Sequence, residues 1–251
     1  MNILWDADEY TKDFSFVHEY GNSVAELVNY KEGSTVMDLG CGNGALTKAF
    51  CDKGFAAIGI DGSAELLNIA KKHYPDIEFI QADAANFTLD KLVDVVFSNA
   101  VFHWIEKEKQ MSMLNCVFKA LKGNGQFVFE FGGKGNNAMI HGALQKAFAE
   151  NGCTYKMPFY FPSIGEYAPL LEKAGFKVTY AVLFDRPTEL KGENGLKDWM
   201  KMFVKTPFTD IDPCVKDRIL DQAVEELRGG LCVNGKWYAD YVRLRMKAIK
   251  E

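Results

Sequence analysis

The sequence predicts an α/β fold in which a doubly wound, parallel sheet is covered by helices on both faces. Two observations support this. Short apolar runs typical of buried strands alternate with amphipathic helical segments, and a glycine-rich turn follows the first run. The chain has 251 residues, of which 48% are hydrophobic. One sizeable core can be built from such a chain, so we expect a single domain over residues 1–251.

Strands and helices alternate regularly in the first half of the chain. Apolar runs predict strands at 35–39, 56–60, 77–80, 93–98 and 126–131. Apolar residues at helical spacing predict helices near 17–30, 44–53, 64–74 and 110–121. Ser63 is expected to cap the third of these helices, and Lys122–Gly125 is expected to end the fourth with a glycine cap.

The second half of the chain is less regular and is expected to carry the substrate site. Helices are predicted at 137–150 and 164–174, followed by strands at 176–183 and 237–248. A helical insertion at 191–232 separates these two strands, and its main helix should start at Pro213 and stop at Gly229–Gly230. We expect the insertion, together with 134–162, to cap the carboxyl edge of the sheet.

The run Val36–Gly44 joins a buried strand to a helix through three glycines, in the order Asp38-Leu39-Gly40-Cys41-Gly42-Asn43-Gly44. Glycines allow the backbone to approach a ligand closely, and the following helix presents unpaired N–H groups. Gly40, Gly42 and Ala45, with Asp61 downstream, also fit a dinucleotide-binding fingerprint. Asp38 favours another ligand, because a carboxylate there would crowd a pyrophosphate but suits an ammonium group.

This pattern resembles motif I of the class I S-adenosylmethionine (SAM) methyltransferases. The resemblance implies SAM as cofactor and S-adenosylhomocysteine as product, bound by the loop residues Asp38, Gly40, Cys41, Gly42 and Gly44. Ligands of open α/β sheets bind at the carboxyl ends of the strands. We therefore assign Asp61 and Gly62 to the ribose, Asp83 and Ala84 to the adenine, and Ser98, Asn99 and His103 to the methionine end.

Segments beyond motif I are similar to the branch that contains trans-aconitate and malonyl-thioester methyltransferases. They are 98–105, 158–163 with Tyr167, and 171–176. The resemblance implies a Rossmann-like, seven-stranded mixed sheet whose last strand is antiparallel. It also implies that residues 1–30 form a lid and first helix over SAM, for which Tyr10, Phe14, Phe16 and Tyr20 are candidates.

The acceptor is expected to be a small molecule, with carboxylate O-methylation as the leading chemistry. A carboxylate is already ionised at pH 7, whereas a phenol, an amine or an acidic carbon needs a base, for which His103 is the candidate. A packing role for His103 is favoured over a catalytic one. Candidate substrate contacts are Trp104, Tyr160 and Trp237, with cationic contacts among Lys134, Arg186, Arg243 and Arg245.

Composition argues against several other functions. The net charge is −5 and no basic block is present, so nucleic acid is not expected as a partner. Six cysteines without a C-x-x-C pair predict reduced thiols, a cytoplasmic location and no metal site. No apolar run predicts a membrane span. A monomer or weak homodimer is expected, and the alternatives are a SAM-binding regulator without catalysis and a nicotinamide-dependent oxidoreductase.

Overall fold

The computed structural model contains one mixed sheet with helices on both faces. It describes residues 16–251, with side chains from Tyr20 onward. The strands are β1 (Thr35–Leu39), β2 (Ala56–Asp61), β3 (Glu78–Gln81), β4 (Val93–Asn99), β5 (Leu121–Gly132), β6 (Phe176–Leu190), β7 (Cys232–Val233) and β8 (Lys236–Lys250). The α-helices of the described part are α1 (Phe16–Ala25), α2 (Ala45–Asp52), α3 (Ala64–His73), α4 (Gln110–Ala120), α5 (Ala138–Glu150), α6 (Ile164–Lys173), α7 (Gly195–Phe203) and α8 (Pro213–Leu231).

The strand order is β3-β2-β1-β4-β5-β8-β6, with β7 paired to β8 as a short eighth strand. Strands β1 to β5 pair in parallel, and β8 runs antiparallel to both β5 and β6. The expected doubly wound, seven-stranded mixed sheet with an antiparallel last strand is therefore confirmed, and β7 adds two residues to it. Because the strand order reverses between β1 and β4, a crevice opens beyond their carboxyl ends.

The two faces of the sheet bury separate apolar clusters. One cluster joins α4 and α6 to the sheet through Phe127, Phe129 and Tyr167, all of which are inaccessible to solvent. The other lies on the opposite face and packs α1 and α2 against it, with Phe50 against Phe97. With both faces covered, the parallel strands are buried as their apolar sequences predict.

A further apolar cluster lies outside the sheet layers. Helices α5, α7 and α8 pack around Trp199, Phe148 and Leu220 and against the β7 end of β6 and β8. Strand β6 continues to Leu190, well past the predicted end at 183, because β8 pairs with it as far as Trp237. Pro187 is tolerated there because β6 is an edge strand.

Three predicted helix ends are wrong. Helix α1 ends at Ala25 rather than near 30, because the Gln126 side chain bonds both the N–H and the C=O of Asn29 and draws the chain away. Helix α4 ends at an extended Leu121, not at a glycine cap. Helix α8 includes Gly229 and Gly230, and the chain reverses only at Asn234–Gly235, where φ is 51° and 77°.

Candidate functional site

A cavity of about 590 Å³ opens at the carboxyl ends of β1, β2 and β4. Its volume lies within the range of about 300–1,000 Å³ that is usual for small-molecule sites. Residues that follow β1, β2, β3 and β4 line one part, and residues from β8, α7 and the segment 136–161 line the other. The fold thus brings the strand-end residues and the predicted cap segments to one crevice.

The glycine loop after β1 forms one wall of this cavity. Gly42 has a φ of 55°, and a Cβ built there would have no neighbour closer than Leu66 at 4.0 Å, so the glycine leaves open space beside the cavity. Gly44, which precedes α2, serves packing instead, because a Cβ would lie 2.7 Å from the Phe79 ring. Gly40 lines the cavity, whereas Gly44 and the buried Cys41 do not.

Asp61 lies at the end of β2 and lines the cavity beside Gly62. Its Oδ2 accepts a hydrogen bond from the Gly42 N–H at 2.9 Å, and its Oδ1 accepts one from the Ser63 N–H at 2.7 Å. Burial raises the pKa of Asp61, and these two N–H groups oppose that shift. The carboxylate therefore fixes the glycine loop and keeps lone pairs for a ligand hydroxyl.

Asp38 lies behind the glycine loop rather than on the cavity wall. Its side chain is only 1% exposed, and its Oδ2 accepts a hydrogen bond of 2.7 Å from the Thr47 hydroxyl of α2. Burial raises the pKa of Asp38 to about 7, although the Thr47 hydroxyl favours the ionised form. Asp38 thus joins β1 to α2 and places an ionisable group under the loop.

The segments after β3 and β4 complete this part of the cavity. Asp83, Ala84 and Asn99 line it, whereas Ser98 is buried and donates a hydrogen bond to the Leu39 carbonyl at 2.7 Å. Ala100 also lines the cavity and adopts a φ of 62°, which is unusual for a residue other than glycine. Its N–H donates to the Glu130 carbonyl at 2.7 Å, so β5 holds the turn.

His103 lines the cavity in a short 3₁₀ turn and is 8% exposed. Its Nδ1 accepts a long hydrogen bond of 3.3 Å from the Gly132 N–H. Burial, and then the positive charge of Arg243, holds the pKa of His103 well below its usual range, so the ring is neutral. A neutral ring that accepts at Nδ1 carries its proton on Nε2, which makes His103 a donor.

Aromatic side chains and one arginine line the far part of the cavity. Arg243, on β8, is 6% exposed, and its guanidinium lies over the Tyr241 ring at 4.4 Å. The aromatic side chains of this part are Trp104, Phe159, Phe161, Trp199, Phe203 and Tyr241. Arginine is well suited to hold a planar anion because its donors are fixed in a fork.

The other two candidate arginines bond a buried glutamate. Glu130 of β5 is 2% exposed and accepts two hydrogen bonds from Arg186, at 2.6 and 3.0 Å, and one from Arg245 at 2.7 Å. Arg245 also donates to the Ser23 side chain of α1. Neither Arg186 nor Arg245 lines the cavity, so Arg243 is the candidate that reaches it.

Several predicted contacts lie away from the cavity within the described residues. Lys134 is exposed, and Tyr160 donates its N–H to the His103 carbonyl. Trp237 packs in the apolar cluster of α5, α7 and α8, and its indole N–H donates to the Glu193 carbonyl. The lid candidates Tyr10 and Phe14, and the side chain of Phe16, lie outside the described residues.

The sequence analysis missed several residues that line the cavity, namely Val101, Asn136, Asn137 and Phe203. Phe203 could have been found, because it lies one helical turn after Trp199 in an amphipathic helix. The position of Asn136 and Asn137 depends on β8, because Asn136 Oδ1 accepts from the Val242 N–H and the Asn137 N–H donates to the Asp240 carbonyl. This pairing leaves no signal in the sequence.

Two negative findings concern residues 16–251 only. None of the helices described there is long and apolar enough to cross a membrane. The same residues contain no group of three or more histidine, cysteine or acidic side chains that could hold a metal ion.

Comparison with known proteins places this geometry in context. Residues 36–125 match a family model described as a methyltransferase domain. An uncharacterised methyltransferase of Schizosaccharomyces pombe is 30% identical over 259 aligned positions that span 98% of each chain. A trans-aconitate 2-methyltransferase of Azoarcus is 35% identical over 106 positions, which are 40% of this chain and 41% of that relative.

The fold is shared with solved structures of low sequence identity. A SAM-dependent methyltransferase from Mesorhizobium loti superposes with a TM-score of 0.55 and 18% identity. The superposition covers 91% of this chain and 96% of that one. The match to the Schizosaccharomyces pombe protein spans 98% of this chain and therefore carries the assignment to a family.

Proposed function

Because this chain belongs to the class I SAM-dependent methyltransferases, we propose that it transfers the methyl group of SAM to a carboxylate oxygen of a small molecule. Membership of this family identifies SAM as the cofactor and methyl transfer as the reaction. The chain is therefore neither the nicotinamide-dependent oxidoreductase nor the non-catalytic regulator that the sequence analysis kept as alternatives. The acceptor is the part that we propose. It is supported mainly by one observation, the position of the buried Arg243 guanidinium on the cavity wall.

The residues of the glycine-loop part of the cavity fit SAM. Gly42 leaves space that a Cβ would fill, and Asp61 offers carboxylate oxygens to ribose hydroxyls at the end of β2. Asp83 and Ala84 would hold the adenine, and Asn99 the methionine end. SAM, when bound, supplies an activated methyl group, so the protein's contribution is binding, orientation and exclusion of water.

Arg243 is the residue that we propose to hold the acceptor carboxylate. A guanidinium donates two parallel hydrogen bonds to a carboxylate, which fixes its position and its rotation. Hydrogen bonds of this kind are stronger in a site that excludes water, and Arg243 is 6% exposed. The Tyr241 ring under the guanidinium restricts its movement further.

His103 is proposed to act as a hydrogen-bond donor beside Arg243 rather than as a base. Its Nδ1 lone pair is used by the Gly132 N–H, and its pKa lies well below the usual range. A ring in this state cannot take a proton efficiently near pH 7. A carboxylate acceptor needs no base, so the state of His103 agrees with the proposed reaction.

Substitution of Arg243 tests this proposal. In Arg243→Met the acceptor loses at least one charge-assisted hydrogen bond of about 1.5–3 kcal/mol, so kcat/KM should fall by about 10- to 100-fold or more, with SAM affinity unchanged. Arg243→Lys should restore only part of the loss, because lysine provides a point charge without the fork. Arg218→Met, on the exposed face of α8, is the matched control and should have normal activity.

The pH dependence provides an independent check. At saturating SAM, kcat for a carboxylate should show no rise that depends on His103 between about pH 6 and 8.5, because the acceptor is already ionised and His103 stays neutral. A rate that rises with an apparent pKa near neutrality and becomes flat in His103→Gln would show that His103 is a base. That result, or normal carboxylate turnover by Arg243→Met, would contradict the proposal.

A further inference from the structure

Six aromatic rings form a continuous wall along the acceptor part of the cavity, which we call the aromatic wall. Phe159 stacks on Phe161 at 5.3 Å between ring centroids, with an angle of only 26° between the ring planes. Trp104 meets Phe159 edge-on at 4.7 Å. The wall continues from Trp104 to Phe203, from Phe203 to Trp199 and from Trp199 to Tyr241.

The aromatic wall ends at the proposed carboxylate anchor. The Trp199 indole N–H donates to the Tyr241 hydroxyl at 2.6 Å, so these two polar groups bond each other within the wall. Arg243 then lies over the Tyr241 ring. A molecule whose carboxylate reaches Arg243 would therefore have its remaining atoms against ring faces and edges.

The charges along the cavity argue against an acceptor with several negative groups. Among the described lining residues, four are acidic (Asp61, Glu65, Asp83 and Glu106) and two are basic (Lys109 and Arg243). Lys109 forms an ion pair of 3.0 Å with Glu106. Asp61 and Asp83 belong to the part of the cavity proposed for SAM, so a second or third carboxylate of the acceptor would lie against the aromatic wall. Burying a charge there without a cationic partner is costly.

We infer that the acceptor is a monocarboxylate that carries a flat, apolar body, such as an aryl or conjugated acid. This inference rests on the proposed carboxylate chemistry and adds the class of substrate to it. Planar π systems gain from stacked and edge-to-face contacts with aromatic rings, which a small polar acid cannot make. The aromatic wall thus favours an apolar monocarboxylate over a tricarboxylate such as trans-aconitate.

Acceptor kinetics with the full-length enzyme and saturating SAM test the inference. The probes are trans-cinnamate and 4-phenylbutyrate as apolar monocarboxylates, trans-aconitate and citrate as tricarboxylates, and trans-cinnamamide as the neutral analogue of cinnamate. We expect kcat/KM for trans-cinnamate to exceed that for trans-aconitate by at least about tenfold, which corresponds to 1.4 kcal/mol. The neutral cinnamamide should give no methylated product.

Single-ring variants locate the effect. Phe159→Leu and Phe161→Leu should each lower kcat/KM for trans-cinnamate by about three- to tenfold, in line with the usual value of an aromatic pair. Turnover of acetate, added as a carboxylate without an apolar body, should change little. Phe118→Leu is the control, because Phe118 packs against Phe176 away from the cavity. Binding of each acid to the enzyme with S-adenosylhomocysteine, measured by calorimetry, provides a readout that does not depend on turnover.

Each outcome has a distinct meaning. Preference for trans-aconitate or citrate, in turnover or in calorimetry, would overturn the monocarboxylate inference and leave the carboxylate proposal in place. Methylation of phenols or amines but of no acid would overturn the proposed function itself. Failure of all the monocarboxylates both to bind and to react would overturn the inference.

Discussion

Replacement of Asp61 by asparagine should weaken SAM binding strongly. The Asp61 carboxylate accepts hydrogen bonds from the Gly42 and Ser63 N–H groups while it lines the cavity, and asparagine offers one oxygen where aspartate offers two. One N–H donor of the loop or one ligand hydroxyl would then lose its acceptor. Hydrogen bonds to charged groups contribute about 1.5–3 kcal/mol, so the dissociation constant for SAM should rise by about 10- to 100-fold.

Isothermal titration of the ligand-free protein with SAM measures this change. Asp76→Asn is the control, because Asp76 lies exposed between α3 and β3. Burial raises the pKa of Asp61, which means that its ionised carboxylate is costly to bury, and asparagine removes this cost. The substitution should therefore change the melting temperature of the ligand-free protein less than it changes the rise in melting temperature that SAM produces. An unchanged dissociation constant in Asp61→Asn would refute the assignment of this carboxylate to the cofactor.

Two further predictions concern buried charges. The pKa of Asp38 is raised to about 7 from 3.8, so the native state holds a proton that the unfolded state loses between about pH 4 and 7. Stability should therefore fall as pH rises through this window, and melting curves of Asp38→Asn should lack that part of the pH dependence; an unaltered pH profile would contradict this. Glu130→Gln leaves two largely buried guanidinium groups without their carboxylate, so unfolding free energy should drop by about 3–5 kcal/mol in denaturant titrations. Asp52→Asn, which removes an exposed pair with Lys48, should leave the unfolding free energy nearly unchanged, and equal losses in the two variants would refute the argument.

The sheet and the glycine loop could be predicted because their signals are local. The spacing from Asp38 to Gly44 and the polar residues after successive strands depend on short stretches of chain. Because the strands are parallel, their carboxyl ends lie at the same edge of the sheet, independently of the conformation of the loops. This is why Asp61, Asp83 and Asn99 meet at one cavity, as expected from their positions in the sequence.

The acceptor part could be predicted only in outline, because it depends on register. Arg243 and Arg245 share one face of β8, but Arg243 pairs in register with Gly132 and Arg245 with Glu130. A shift of two residues along β5 therefore separates the arginine on the cavity wall from the one in the buried ion pair. The glutamate inside the apolar strand β5 was the sequence signal that some of the arginines would form ion pairs with it.

Local capping signals also failed to predict where α8 ends. The glycines Gly229 and Gly230 suggested a helix end, but the helix continues to Leu231 until the Asn234–Gly235 turn reverses the chain. Asp240 of β8 accepts from the Met139 N–H at 2.8 Å and so satisfies a donor in the first turn of α5 from outside that helix. Contacts of this type join residues about one hundred positions apart.

Identification of the methylated atom tests the central claim most directly. The purified enzyme would be incubated with SAM carrying a ¹³C-labelled methyl group and with trans-cinnamate, and the product would be analysed by carbon NMR and by mass spectrometry before and after mild alkaline hydrolysis. A methyl ester signal that alkali releases as methanol, and that is greatly reduced in Arg243→Met, is the predicted result. Label found only on nitrogen, carbon or a phenolic oxygen across the acceptor panel would contradict carboxylate methylation.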